Sequence, residues 1–400
     1  PNLRYLVSVL ADGMEMSGRQ VASGFTDVVT VILNINPIPT AQISILAFND
    51  NAPINNVPDA GEAGLLGLSL PEEDGGFGGD YRYEVVLMRQ LGWKGADHFG
   101  ISLHNAIVMP YILHYGTEEQ KKRWLPRMAS GELISAIAMT EPGAGSDVAS
   151  IKTTARKDGG DYVINGSKMW ITNSLQADWM CLLANTSEGA PHKSKSLICL
   201  PMKTRGVQVV KKLDKLGMRS SDTAQIFLDE VKVPVRNLIG QEGMGFVYQM
   251  QQFQEERLWG AISAVVGMER LIAETAEYTR ERKVFGRPLL DNQIIHFRLA
   301  ELRTEIELVR SLCYRACEEY LAGKDVTMLA SMAKLKAGRM MRLVTDGCLQ
   351  YWGGAGYIWE APTARAFRDS RLASIGGGAD EVMLQIISKM MGTLPRAEKN

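Results

Sequence analysis

The chain has 400 residues, of which 46% are hydrophobic and 22% are charged. That length predicts two or three domains, or one large compact unit with a sizeable core. The formal net charge of −1 gives no electrostatic reason to expect nucleic acid or an anionic membrane as a partner. Because no apolar run in the sequence reaches about 18 residues, no membrane span is expected.

The five cysteines have neither metal-site nor disulfide spacing. Cys313 and Cys317 lie four residues apart in a helical stretch, which favours buried thiols over metal ligands. This pattern predicts no metal site and suits a reducing compartment. The first residues lack a signal-peptide pattern, and the last three match no common address tag.

The first large zone, residues 25–132, reads as mainly helical and follows an extension at residues 1–24. Helical candidates lie at residues 84–91, 101–115 and 117–129. Thr117 and the two glutamates after it begin the last of these, and Pro126 is expected to break it near its end. Residues 30–59 fit a helical zone less well, since they contain four prolines and a strand-like run at 43–46.

The second zone, residues 133–240, has a strand-like pattern. Short β-branched and apolar runs alternate with turns at residues 197–200, 207–210, 224–228 and 231–235. A hairpin is predicted at Asn165-Gly166, the strongest short turn signal. No strand–helix–strand repeat and no dinucleotide-binding fingerprint occur, so the zone is predicted to be an antiparallel sheet or barrel and not a Rossmann domain.

The third zone, residues 241–400, is helical again. Its helices are expected at residues 246–281, from Asp291 to about 321, from Asp325 to about 352, and from Asp380 to 389. Long helices with short connections predict an antiparallel bundle. The expected fold class is therefore α+β, with an N-terminal helical domain, a middle antiparallel β-domain and a C-terminal antiparallel helical bundle.

The most informative segments are residues 138–147 and 165–172. The first is a loop in which Gly143 and Gly145 allow a ligand close to the backbone, with hydroxyls at Thr140 and Ser146. The second places Trp170 close to further donors, which suits a flat ring with polar edges. A generic turn of a β-domain is the alternative for either segment alone.

Together and in this order, the two segments resemble the flavin-binding signature of the acyl-CoA dehydrogenase family. The resemblance runs from roughly residue 25 to 392 and is close from about residue 61 onward. It implies the helical, β and helical domain order of that family, with FAD as cofactor. Residues implied in FAD binding are Met139, Thr140, Gly145, Ser146, Trp170, Thr172, Arg282, Phe285, Gln293, Gln350, Gly353, Gly354, Asp380 and Glu381.

Within that set, the resemblance assigns Arg282 to an FAD phosphate. It assigns Gln293 and residues 350–354 to the adenosine end of FAD, typically on a neighbouring subunit. From residue type alone, Arg282 would be a solvated cation at a helix end, and residues 350–354 an ordinary helix C-terminus.

The base that removes the α-proton is the open question of the sequence. Most family members carry a glutamate in a Tyr-Glu-Gly-Thr motif, and the corresponding position here is Gly377. A minority carries the base in a Glu-Arg-Leu motif on another helix, which matches Glu256, Arg257 and Leu258. Helical spacing places Glu256 on one face with Phe253 and Gly260, and rotates Glu255 by about 100°.

Two roles follow for the catalytic residues. Glu256 is predicted as the base, with a raised pKa because burial disfavours its charge. Gly377 retains the backbone N–H that donates to the thioester oxygen in the family. The alternative is that Glu255 and Glu256 are solvated or pair with Arg257. Predicted substrate contacts are Ser146, Phe253, Arg257 and Gly260; residues 213–223 resemble the family loop near the thioester, or form a polar β-turn.

The resemblance implies oxidation of an acyl-CoA to the trans-2-enoyl-CoA, with an electron-transfer flavoprotein as acceptor. The closest subgroup is predicted to act on citronellyl-CoA or related branched and medium-to-long chains. A homotetramer, built as a dimer of dimers, is expected in the mitochondrial matrix of a eukaryote or the cytoplasm of a bacterium. An acyl-CoA oxidase that uses O₂ and a non-catalytic acyl-CoA or FAD-binding scaffold are the alternatives.

Overall fold

The computed structural model describes residues 64–96 and 100–395 in full, together with the backbone of three short strands before them. Those strands are β1 (Arg4–Val9), β2 (Ser17–Ala22) and β3 (Leu46–Asn49), and they form an antiparallel sheet in the order β2-β1-β3. The prediction of a mainly helical zone from residue 25 is wrong at β3. The rest of residues 25–63 lies outside the described residues.

A 3-10 turn (Glu72–Asp74) is followed by α1 (Tyr81–Lys94), a π-helical turn (Leu103–Val108), α2 (Met109–Tyr115) and α3 (Glu118–Ala129). Asp80 caps α1 by accepting the Arg82 N–H, and Thr117 forms a capping box with Gln120 at the start of α3. The predicted break at Pro126 is wrong, because α3 continues to Ala129.

The middle domain is an eight-stranded sheet: β4 (Ser135–Ala138), β5 (Thr154–Asp158), β6 (Asp161–Thr172), β7 (Trp179–Asn185), β8 (Lys195–Pro201), β9 (Val207–Lys212), β10 (Thr223–Pro234) and β11 (Leu238–Ile239). Its order is β11-β8-β7-β5-β6-β10-β9, with β4 paired to β7. The pairs are antiparallel except β4–β7 and β5–β7, which are parallel. The predicted antiparallel β-domain is confirmed for the other pairs, and these two parallel pairs are the exception.

The predicted turn at Asn165-Gly166 is also wrong, because both residues lie inside the continuous strand β6. The Asn165 side chain accepts the backbone N–H of Glu230 at 2.8 Å, beside a register shift between β6 and β10. A Cβ built on Gly166 would lie 2.4 Å from Thr153 Oγ1. The pair therefore serves a bulge and a close approach of two backbones, a common use of glycine within strands.

The C-terminal bundle consists of α4 (Gly245–Glu281), α5 (Gln293–Leu321), α6 (Thr327–Trp352), α7 (Pro362–Ser370) and α8 (Asp380–Met390). A two-stranded hairpin of β12 (Lys283–Val284) and β13 (Arg287–Pro288) links α4 to α5. The predicted helices agree with these bounds to within two residues. Asp291, however, lies outside α5, whose N-cap residue is Asn292.

Three buried clusters stabilise this arrangement. One joins the N-terminal helices to one face of the large sheet, where Trp124 of α3 stacks on Trp179 of β7. A second fills the bundle between α4, α5 and α6 and includes Tyr81 of α1. The third lies on the other face of the sheet. Helix α4 contacts both α1 and the bundle, so its middle section lies where the helical domains meet.

The five cysteines are buried free thiols in the part of the chain that is described. The described residues contain no group of three or more His, Cys, Asp or Glu side chains placed to hold a metal ion. Among the helices that the structure describes, none has the length and apolar character to cross a membrane.

Candidate functional site

The loop after β4 is tied directly to β6, so the two informative segments of the sequence lie side by side. The backbone N–H of Met169 donates to the Thr140 carbonyl at 2.9 Å, and Thr140 Oγ1 donates to the Met169 carbonyl at 2.5 Å. Glu141 and Ala144 exchange two backbone hydrogen bonds, which close a tight turn. Met139, Thr140 and Trp170 therefore belong to one structural unit.

A buried ion pair lies beneath this unit. Lys168, which has no exposed surface, donates from Nζ to Glu141 Oε1 and to the Met139 carbonyl, both at 3.0 Å. Glu141 also accepts the backbone N–H groups of Lys152 and Thr153 at 2.7 and 2.9 Å. Burial opposes ionisation of Glu141, but Lys168 and these donors together hold its pKa below the ordinary value.

The upper surface of the unit is open. The Trp170 side chain is 59% exposed, and its backbone has φ 65°, an uncommon conformation for a bulky residue. Cβ atoms built on Gly143 or Gly145 would meet no atom within 4 Å. At the end of β6, Thr172 Oγ1 lies 3.4 Å from Thr223 Oγ1 at the start of β10. Strained backbone beside open donors is typical of ligand sites.

The predicted base lies on the middle section of α4. Tyr111 donates its hydroxyl to Glu256 Oε1 at 2.9 Å. Desolvation raises the pKa of Glu256 to about 8, although Tyr111 and Arg257 both favour the charged form. The raised pKa agrees with the direction expected from the sequence.

Arg257 does not form an ion pair with Glu256 in the described part of the chain. Its Nη1 donates to Ser331 Oγ at 3.4 Å, and its guanidinium lies 5.3 Å from the centre of the Phe253 ring. On the face of α4 that carries Glu256, a Cβ built on Gly260 would meet nothing within 4 Å. The face that carries Phe253, Glu256 and Gly260 therefore has open space one turn beyond the carboxylate.

Glu255 points elsewhere, as the helical rotation predicts. It is buried and accepts hydrogen bonds from Gln252 and from the Tyr320 hydroxyl. His114 Nε2 lies 4.0 Å from Glu255 Oε2. Burial raises the pKa of Glu255 to about 7. Two adjacent carboxylates are thus held by separate sets of partners.

The position of the usual family glutamate is a left-handed turn between α7 and α8. Gly377 and Gly378 have φ values of 62° and 95°. Lys334 of α6 donates to the Gly378 carbonyl, and its Cε lies 4.0 Å from a Cβ built on Gly377. Burial lowers the pKa of Lys334 to about 8. Gly377 is itself exposed, so its peptide group is accessible to a ligand.

Asp380 and Glu381 begin α8 directly after this turn. Asp380 is buried and contacts Arg339 and Arg342 at 3.5 and 3.4 Å, whereas Glu381 is exposed. In the middle domain, the Met218 N–H donates to Asp369 Oδ1 at 2.5 Å, so the loop of residues 213–223 contacts α7.

The remaining predicted cofactor residues lie at one end of the bundle. Tyr278 of α4 stacks on Trp352 of α6 at 4.1 Å, which joins the end of α4 to the end of α6. Tyr351 donates to the Ile294 carbonyl at 3.4 Å and adds the start of α5. The exposed residues gathered here are Arg282, Phe285, Gln293, Gln350, Gly353 and Gly354. These cofactor candidates lie on the bundle, whereas Met139, Thr140 and Trp170 lie on the sheet.

Comparison with known proteins gives the same three-part division. Models of the acyl-CoA dehydrogenase N-terminal, middle and C-terminal domains match residues 46–132, 136–231 and 243–392. The long-chain specific acyl-CoA dehydrogenase of Sus scrofa is 40% identical over 332 residues, 82% of this chain and 77% of that protein. The short-chain specific enzyme of Rattus norvegicus is 35% identical over 339 residues, 84% of this chain and 82% of that protein.

Among solved structures, an acyl-CoA dehydrogenase from Geobacillus kaustophilus has a TM-score of 0.82 and 43% identity, covering 84% of this chain and 88% of that one. The fold and these matches together define a flavoprotein oxidoreductase. The chain belongs to the acyl-CoA dehydrogenase family and is an acyl-CoA dehydrogenase. Members of this family bind FAD.

Proposed function

We propose that this dehydrogenase binds FAD beside Trp170 and removes the α-proton of an acyl-CoA thioester with Glu256. The observation that carries the proposal is the half-buried Glu256 carboxylate, with its raised pKa, in a chain that has no side chain at Gly377. A base with a pKa near the working pH is efficient at proton abstraction.

The residues of the sheet fit FAD. Open space beside Gly143 and Gly145 gives backbone N–H groups access to a ligand, and the exposed indole of Trp170 offers an apolar face to a ring. When bound, FAD would supply the acceptor for the hydride that leaves the β-carbon. Arg282, at the exposed end of α4, offers a cation for a phosphate.

The chain's own residues would carry the acid–base part of the reaction. Glu256 takes the proton as the α-carbon–hydrogen bond breaks, and the electron pair of that bond becomes part of the new double bond. Gly377 donates its backbone N–H to the thioester oxygen, where negative charge develops. The product is the trans-2-enoyl-CoA, and the proton remains on Glu256 until it passes to solvent.

The substrate proposal is a branched or medium-to-long acyl chain. The open space at Gly260 leaves room one helical turn from the Glu256 carboxylate. We propose that Phe253 and Arg257, which lie on or beside the same helical face, contact the substrate. We propose an electron-transfer flavoprotein as the acceptor that reoxidises the enzyme.

A second copy of the chain is proposed to complete the FAD site. Phe285, Ile294 and Phe297 are 104%, 75% and 56% exposed in the single chain, beside the bundle residues assigned to the adenosine end. Covering such apolar side chains is favourable. A homotetramer would provide that cover through a dimer of dimers, and sedimentation of the flavin-loaded protein measures the assembly.

The test is anaerobic flavin bleaching with a panel of straight and branched acyl-CoA thioesters. The wild-type protein should bleach with a subset of the panel, and Glu256→Gln should slow bleaching by about 100-fold to 10,000-fold. Glu255→Gln is the matched control, since it changes the adjacent carboxylate. Loss of bleaching in Glu255→Gln with retention in Glu256→Gln would reverse the assignment.

Two further results bear on the reaction class. No bleaching with any member of the panel would overturn the proposed activity. Oxygen consumption by the reduced enzyme without an added acceptor would identify an oxidase and replace the proposed electron-transfer flavoprotein.

A further inference from the structure

The hydroxyl of Tyr111 reaches the predicted base from a different domain. Tyr111 lies on α2, directly after the π-helical turn Leu103–Val108, and its side chain is fully buried. Its hydroxyl donates to Glu256 Oε1 at 2.9 Å. A π-helical turn shifts the direction of the side chains that follow it and is frequent at functional sites.

The charged and titratable groups that face Glu256 are few. Cys181 approaches it from β7, Arg257 and Glu255 lie beside it on α4, and Tyr111 faces it from α2. Arg257 directs its hydrogen bond to Ser331 instead. Among the described residues, Tyr111 is therefore the donor that holds a defined oxygen of this carboxylate.

A hydrogen bond to one carboxylate oxygen has two consequences. It restrains the rotation of the carboxylate, because Oε1 must stay within reach of the hydroxyl. It also favours the ionised form, since only the carboxylate gains a charge-assisted acceptor. Both effects act on the carboxylate of Glu256, one oxygen of which must receive a proton during the reaction.

We propose that Tyr111 is a positioning residue for the base: its hydroxyl holds Glu256 Oε1, and Oε2 is presented to the α-hydrogen of the substrate. This inference rests on the proposed function, in which Glu256 is the base. Tyr111 touches neither substrate nor reacting atoms in this scheme and acts through Glu256.

Tyr111→Phe tests the inference because it keeps the buried ring and removes only the hydroxyl. Two pH profiles are measured, the rate of anaerobic flavin bleaching and the rate of α-hydrogen exchange of the acyl-CoA in D₂O. The exchange rate reports proton abstraction separately from the redox step. Both midpoints should rise by about one to two pH units, the usual worth of a hydrogen bond to a charged group. At neutral pH both rates should fall roughly tenfold for each pH unit by which the midpoint rises.

Tyr115→Phe is the matched control on the same helix. Its hydroxyl donates to Gln251 Oε1 at 3.3 Å and not to Glu256, so its midpoint should equal that of the wild type. If Tyr111→Phe does not fold, a fluorinated tyrosine at position 111 provides the opposite change. Its more acidic hydroxyl is a stronger donor, so the midpoint should move to lower pH.

The outcomes separate this inference from the proposed function. A wild-type midpoint in Tyr111→Phe, with an inactive Glu256→Gln, would overturn the role of Tyr111 and leave Glu256 as the base. Normal bleaching in Glu256→Gln would overturn the proposed function itself. Equal changes of midpoint in Tyr111→Phe and Tyr115→Phe would show a general effect of the helix and refute the specific role.

Discussion

Removing the carboxylate of Glu141 should destabilise the middle domain more than removing its partner cation. In Glu141→Gln, Lys168 stays buried without a negatively charged partner, because the Met139 carbonyl and the new amide oxygen are both neutral acceptors. Loss of one partner from a buried ion pair costs about 3–5 kcal/mol, because the other charge is left uncompensated. The variant should also retain flavin less well, since Met139 and Trp170 belong to the proposed cofactor surface.

Lys168→Met should cost less, about 1–3 kcal/mol. Glu141 keeps the backbone N–H groups of Lys152 and Thr153 as donors in that variant. The double variant should be more stable than Glu141→Gln alone, because no buried charge remains unpaired. The ion pair therefore predicts that Glu141→Gln is less stable than both Lys168→Met and the double variant, as well as the size of each loss.

Urea unfolding of the flavin-free protein, followed by tryptophan fluorescence, measures these differences. The exposed pair of Lys232 and Asp158, 3.4 Å apart on the same sheet, supplies the control. Lys232→Met should change stability by less than about 1 kcal/mol. Strictly additive single variants, or a Glu141→Gln protein as stable as the Lys232→Met control, would refute the reasoning.

Two other predictions concern α4 and the glycine turn. Since desolvation raises the pKa of Glu256 to about 8, bleaching of the wild-type flavin should accelerate as pH rises through 8 and then level off; a flat stopped-flow profile from about pH 6 to 9 would contradict this. Gly378→Ala should lower the thermal midpoint, because its φ of 95° costs an L residue about 1–2 kcal/mol and its Cβ would lie 2.5 Å from Met383 Cε. Calorimetry measures the loss. Gly392→Ala is the control, because its Cβ would meet nothing within 4 Å and it therefore carries the cost of a positive φ without a steric clash.

The helices were predictable because their signals are local. A proline-free stretch locates α4, and acidic residues close to the helix starts locate α6 and α8, to within two residues of the observed bounds, although the N-cap residues are Met244, Val326 and Ala379. Pro126 failed as a break because packing of α3 against the sheet outweighs one lost hydrogen bond. Asn165-Gly166 failed because turn chemistry and bulge chemistry use the same residues, and only strand pairing distinguishes them.

The site residues also divide into those with a local sequence signal and those that only the tertiary fold brings together. Glu256 could be proposed from helical spacing and a short motif, since both lie within one turn of sequence. Tyr111 could not, because 145 residues separate it from Glu256 and only the tertiary fold joins them. Lys168 offered a usable signal that was missed. Along β6 it shares the inward register with Tyr162 and Ile164, and a lysine on a buried strand face requires an acceptor.

The adjacent glutamates show how one helix can present a single carboxylate that is free to change its proton. Glu255 and Glu256 are successive residues, so they project about 100° apart and reach different partners. Burial raises the pKa of Glu255 to about 7 and desolvation raises that of Glu256 to about 8, and ionisation of Glu255 opposes ionisation of Glu256. Tyr320 and Gln252 donate to both carboxylate oxygens of Glu255, whereas Glu256 accepts a hydrogen bond at one oxygen. The carboxylate with fewer partners is therefore the one that can change its proton without breaking a buried network.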